Sequence, residues 1–127
     1  MRVALDTNTY RAFMDGSTRT IEVVRMAEHV WLPVPVLAEL RFGFRKGTRG
    51  RVNEATLVKF LDSPRVGLLT CDEQTSHFYA DLKIQLFKQG TPIPINDVWI
   101  AALAIQHAVP LHSLDTDFDR IPQLARV

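Results

Sequence analysis

Val3-Ala4-Leu5-Asp6 opens the chain with three small apolar residues that end on a carboxylate. A run this short and uninterrupted suits a parallel strand buried on both faces, because polar alternation is expected only where one face meets water. Asp6 then stands at the strand's carboxyl end, where open α/β sheets bind their ligands. The pattern recurs at Trp31-Leu32-Pro33-Val34 and at Val66 to Leu69, and Val109-Pro110-Leu111 is a last candidate strand. Helical periodicity fills the intervals. Ile21, Val24, Met26 with Ala27, and Val30 share an apolar face, while Glu22, Arg25 and Glu28 mark a wet one. Pro35 suits the first turn of a helix running through Val36, Leu37, Leu40 and Phe44. After a polar break from Lys46 to Gly50, a third helix is expected near Asn53 to Leu61, stopped by Ser63-Pro64. Asp72 or Thr70 can cap a long helix from about Glu73 to Lys88, with Gly90 as its left-handed exit. Asn96 reads as the N-cap of a final helix whose residues Ile100 to Ile105 are apolar all round and hence buried. Strand and helix in alternation predict an α/β fold with a mainly parallel central sheet covered on both faces.

Composition agrees with one domain over residues 1–127, for the length fits a single core and 46% apolar residues can bury it. Fifteen Lys and Arg against fourteen Asp and Glu leave a formal charge of +1, which excludes a globally basic nucleic-acid binder, so any polyanion site is local. Cys71 lies in no pair of zinc or disulfide spacing, which points to a reducing compartment, and it reads as a small core residue beside a strand. No stretch approaches the ~18 uncharged apolar residues of a membrane span, and Arg2 with Asp6 interrupts any leader-like apolar region. A cytoplasmic protein without membrane attachment is expected.

Two carboxylates, Asp6 and Asp115, follow short apolar strands, and Asp97 sits at a helix start, where the dipole and free N–H groups favour an ionised carboxylate. Glu39 lies in an otherwise apolar helix, between Val36-Leu37-Ala38 and Leu40, and so requires a partner. Should the four converge, each pair at about 5 Å repels by roughly 3 kcal/mol at an effective dielectric near 20. No buried lysine or arginine lies near them in sequence, so a divalent cation with hard oxygen ligands is the simplest compensation. Taken singly, each residue also fits a plain structural role: Asp6 and Asp115 in turns, Asp97 in a cap, Glu39 on an exposed helix face.

Four segments, read together, narrow the choice. Leu5-Asp6-Thr7-Asn8, Pro35-Val36-Leu37-Ala38-Glu39-Leu40-Arg41-Phe42-Gly43, Ile95-Asn96-Asp97-Val98-Trp99-Ile100-Ala101-Ala102 and Ser113-Leu114-Asp115-Thr116-Asp117-Phe118-Asp119-Arg120-Ile121-Pro122 resemble, in order and across the chain, PIN-domain ribonucleases. The likeness is greatest to the VapC-type toxins of type II toxin–antitoxin pairs. That resemblance implies a three-layer α/β/α sandwich in which Asp6, Glu39, Asp97 and Asp115 match the family's catalytic acidic quartet and hold Mg2+ or Mn2+. Asp117 matches a further acidic position near the metal, and Thr7, Asn8 and Ser113 match auxiliary polar ones. Ser113 stands where Thr is usual, and Gln123 replaces a frequent Gly after Ile121-Pro122. An RNA substrate, a cognate VapB-type antitoxin and a homodimer are implied in the same way.

A metal-dependent hydrolysis of phosphodiesters needs no protein nucleophile. This agrees with a sequence in which His29, His77, His107 and His112 have no catalytic context, His107 reading as a helix-end and His112 as a loop histidine. Arg41, Arg45, Lys46, Arg49 and Arg51 gather five of the fifteen basic residues into eleven positions beside Glu39, as an RNA-phosphate or antitoxin contact or as a solvated helix end. Phe42 and Phe44 are interleaved with them; the other large aromatics follow core periodicity. A metal-dependent endoribonuclease toxin is thus the leading expectation. The alternatives are a catalytically silent PIN-like interaction module and a phosphatase using Asp6 as nucleophile. The last is disfavoured because Asn8 stands where that class requires a second Asp.

Overall fold

The computed structural model describes residues 1–127. In chain order the elements are β1 (Arg2–Leu5), α1 (Thr7–Met14), α2 (Thr18–Met26), β2 (His29–Pro33), α3 (Val34–Lys46), α4 (Gly50–Leu61), β3 (Val66–Leu69), α5 (Glu73–Gln89), α6 (Ile95–Gln106) and β4 (Leu111–His112), followed by a 3-10 turn at Thr116–Arg120. All strand pairings are parallel, in the order β3-β2-β1-β4. The result is the expected α/β/α sandwich. In β1, Val3, Ala4 and Leu5 are all fully buried, and a strand can bury consecutive residues only when helices cover both faces of its sheet. Leu32, Val36, Leu40, Ile100 and Leu103 join the same core, each such side chain contributing about 1.5–3 kcal/mol of burial. No helix is long and apolar enough to cross a membrane.

Several boundaries differ from the sequence expectation, each for a local reason. The periodicity through Val30 overruns: α2 ends at Met26, which is 77% exposed, and Val30 enters β2 opposite Val3. Val34 belongs to α3 rather than to the strand, because Pro35 in the first helical turn draws the start forward. α4 begins at Gly50, ahead of Asn53, and α6 begins at Ile95 with Pro94 as its N-cap, which places Asn96 inside the first turn. The last strand is Leu111–His112, and its histidine is 2% exposed rather than in a loop. The His112 ring meets Thr20 Oγ1 and the Val127 carbonyl, and burial holds its pKa below the usual histidine value. Cys71 is exposed, since it lies past the end of β3 and just before the N-cap Asp72, and is no core residue. Gly90 closes α5 in the left-handed conformation with φ 71°, as its position requires.

An additional helix, α1, follows β1 directly. Its N-cap is Asp6, whose carboxylate accepts from Thr9 N at 2.9 Å and Thr9 Oγ1 at 2.8 Å, while Thr9 Oγ1 accepts from Asp6 N at 3.0 Å. This is a capping box with Thr in place of the usual Glu or Gln.

Candidate functional site

The carboxyl ends of β1 and β4 and the starts of α1 and α6 meet at a cleft of about 720 Å3. Asp6, Thr7, Asn8, Glu39, Asp97 and Asp115 all line it. Each carboxylate is delivered by a different device. Asp6 is 4% exposed, and its second oxygen accepts from the Ser113 hydroxyl. Ser113 Oγ in turn accepts from Asp115 N at 3.0 Å, so one hydroxyl joins the first and fourth acidic positions. Glu39, half-buried on α3, has the partner its apolar surroundings demanded: Thr7 Oγ1 donates to Glu39 Oε1 at 2.8 Å. Asp97 lies in the first turn of α6. Asp115 caps the 3-10 turn by accepting from Asp117 N at 2.9 Å, and that turn carries Asp117 inward.

The electrostatics show how closely these groups gather. The Asp97 carboxyl is pushed up to about 7, first by burial and then by the charges of Asp115, Glu39, Asp6 and Asp117. The helix N-terminus acts in the opposite direction and is overridden. Oxygens of Asp97, Asp115 and Asp117 lie within 4.8 Å of one another, all half-buried. A cation does stand at one edge, for Arg120 Nη1 is 3.5 Å from Asp117 Oδ1, but Arg120 is largely exposed and also donates to the Pro92 carbonyl. Several hard oxygen donors in one partly desolvated cleft, with too little positive charge to balance them, fit a small divalent cation.

The basic cluster separates. Arg41 is held by Glu54 of α4, with Nε at 3.1 Å from Oε1 and Nη2 at 3.1 Å from Oε2, so it ties α3 to α4. Lys46 lines the acidic cleft, and its ammonium sits 5.2 Å from the centre of the Phe42 ring. Arg45, Arg49 and Arg51 are exposed beyond the cleft. Asn8 is exposed at the cleft wall. Arg11 also lines the cleft and was not singled out from the sequence, because the helix that presents it was not recognised; an Asp-x-x-Thr cap is the signal that could have found it. A second such residue is Arg126, which donates to the Ser113 carbonyl and to Asp119 Oδ1, both at 3.0 Å, and lies against the Phe118 ring. It clamps the segment that carries Asp115 and Asp117.

The PIN domain profile matches residues 3–124. Ribonuclease VapC5 of Mycobacterium tuberculosis is 30% identical over 123 residues, covering 97% of this chain and 90% of that protein. The crystal structure of VapBC2 from Rickettsia felis bound to a DNA fragment from their promoter superposes with a TM-score of 0.86 at 27% identity, covering 100% of this chain and 98% of the matched chain. VapBC-1 from nontypeable Haemophilus influenzae gives a TM-score of 0.86 at 26% identity, with 100% and 97% covered. A collinear acidic cleft in this fold, joined to a family match over almost the whole length, establishes that the chain belongs to the PIN domain family.

Proposed function

We propose that this chain is a cytoplasmic endoribonuclease toxin, a single PIN domain that cuts RNA with a divalent cation and is silenced by a cognate VapB-type antitoxin. The observation that carries the reading is the gathering of carboxylates in one cleft: Asp6, Glu39, Asp97 and Asp115 line it, and oxygens of Asp97, Asp115 and Asp117 lie within 4.8 Å of one another. Such a cluster is costly without a cation and suits phosphodiester hydrolysis with one. Asp6, Glu39, Asp97 and Asp115, with Asp117 beside them, would hold Mg2+ or Mn2+. When bound, that ion supplies charge neutralisation at the phosphoryl oxygens and activation of water, which side chains of this set do not. Thr7 fixes the Glu39 oxygens, Ser113 fixes those of Asp6, and Asn8 offers an amide to substrate at the wall. Lys46 at the cleft and the exposed Arg45, Arg49 and Arg51 beyond it supply sequence-independent attraction for RNA phosphates. Homodimerisation is supported by the exposed apolar side chains of α5, where Ile84 is 49% and Phe87 79% exposed.

The test is cleavage of RNA by the purified full chain. Mn2+ or Mg2+ should be required, chelator should stop the reaction, and Asp6→Asn or Asp97→Asn should abolish it with the fold intact by circular dichroism. Undiminished cleavage by the double variant would remove the metal-site assignment, and intact RNA with the wild type would place the chain among non-cutting interaction modules.

A further inference from the structure

Beside the acidic cleft lies a second recess, of about 350 Å3, between α1, α3 and α4. Tyr10, Met14 and Phe44 give it apolar walls, and Asn53, Thr56 and Asp15 contribute polar groups. The two hollows share Arg11 and Gly43 and nothing else among their lining residues. Arg11 is exposed, and no carboxylate of the chain lies within ion-pairing distance of its guanidinium, in contrast to Arg41, Arg120 and Arg126. Its Nη2 lies so close to α3 that a Cβ on Gly43 would stand 3.0 Å away. Gly43 therefore leaves the space in which the guanidinium crosses from one hollow to the other.

We propose that Arg11 is an RNA-phosphate contact, and that the recess behind it receives the base of the nucleotide that leaves the acidic cleft. This rests on the ribonuclease reading and gives the substrate's path on this chain. An unpaired guanidinium on the ridge between two hollows suits a polymer with a phosphate between successive bases. Its planar fork matches a phosphate in a way a lysine ammonium does not. A recess with a partly open aromatic wall at Phe44, Tyr10 being buried behind it against Phe60, and with a few hydrogen-bonding groups suits an unstacked base, which is how single-stranded RNA is read. An antitoxin peptide seated in the same recess is the competing occupant, and the test separates the two.

Binding of an unstructured RNA oligonucleotide of mixed sequence is measured on the full chain carrying Asp97→Asn, across a salt series, and cleavage of the same RNA is measured on the wild type. Arg11→Gln should weaken binding about tenfold at low salt. It should also reduce the slope of log affinity against log salt by about 0.7, the share of one single-strand phosphate. Arg11→Lys should restore the slope but not the full affinity. Asn53→Ala should weaken binding with the slope unchanged, as a base contact would. If the wild type cuts this RNA while Arg11→Gln leaves slope and affinity untouched, the assignment of Arg11 is overturned and the ribonuclease reading stands. If the wild type cuts neither this RNA nor folded RNA, the ribonuclease reading itself fails. Loss of antitoxin binding in Arg11→Gln and Asn53→Ala, with RNA binding unaltered, would give the recess to the antitoxin and overturn the proposal.

Discussion

Replacing Asp97 by Asn should make the metal-free protein more stable, although it destroys the site. The charge of Asp97 is unfavourable in the fold, because burial and the surrounding Asp115, Glu39, Asp6 and Asp117 raise its carboxyl from 3.8 to about 7. A shift of about three units corresponds to a ceiling of about 4 kcal/mol. The group is only half-buried, and solvent screening reduces this to about 2 kcal/mol. For a domain of this size that is about 6–10 °C in Tm. The sign follows from linkage. A carboxyl whose folded pKa lies above its unfolded value adds stability at low pH and loses it as pH rises through the folded pKa. The wild type should therefore weaken between about pH 4 and about pH 7, and the asparagine variant should lack that component. Thermal melts in chelator should show the largest advantage of Asp97→Asn near about pH 8, shrinking steadily toward about pH 4. Saturating Mn2+ should reverse the order, because a ligand of the folded state stabilises only the protein that binds it. A variant less stable than wild type in chelator near neutral pH, or an advantage that does not change with pH, would refute the account of crowded carboxylates.

Other expectations address separate parts of the site. Glu39→Gln should weaken Mn2+ binding by about tenfold or more in isothermal titration, with little loss of stability and partial recovery of activity at raised Mn2+. Equal Mn2+ affinity in both proteins would leave Glu39 as a helix-face residue. Ser113→Ala should cost about 2 kcal/mol in denaturant melts, because it removes the donor to buried Asp6 and the acceptor for Asp115 N. Charge reversal at Arg45 and Arg49 should flatten the salt dependence of RNA binding, whereas Arg41→Ala should lower stability by at most about 1 kcal/mol and leave that slope unchanged, since Glu54 already occupies the guanidinium.

β1 and β3 were readable as apolar runs with plain boundaries, and Val66–Leu69 coincides with expectation in its bounds, but not in its burial: β3 is the edge strand of the sheet, and Leu68 is 41% exposed. Asp6, Asp115 and Asp97 stood out by their place after short apolar runs or at a helix start and Glu39 by its charge in an otherwise apolar helix, while their grouping as one set, with Asp117, came from the resemblance to PIN domains. α1 was hidden for a physical reason. Thr7, Asn8 and Thr9 are poor helix formers, and the helix is nucleated by the Asp6–Thr9 capping box rather than by an apolar stripe. Arg11 was lost with it. The partner of Glu39 was equally unreadable, because Thr7 is 32 positions away and reaches it only after α1 packs on α3. The basic cluster shows the converse error. Closeness in sequence suggested one surface, yet Glu54 on the next helix withdraws Arg41 from it.

The pairing of β1 with β4 has a temporal consequence. Ala4 lies opposite Leu111 and Leu5 opposite His112, and the hydroxyl that joins Asp6 to Asp115 spans 107 positions. Contacts of such separation close late, after more local structure has formed. A chain emerging from the ribosome can shape β1, β2 and α3 around Asp6 and Glu39 long before Asp97, Asp115 and Asp117 exist. On the ribonuclease reading, the message and the ribosome producing it are the nearest targets. Because Asp97, Asp115 and Asp117 are encoded after the elements that hold Asp6 and Glu39, the nascent polypeptide lacks the full set of carboxylates until those positions have been translated.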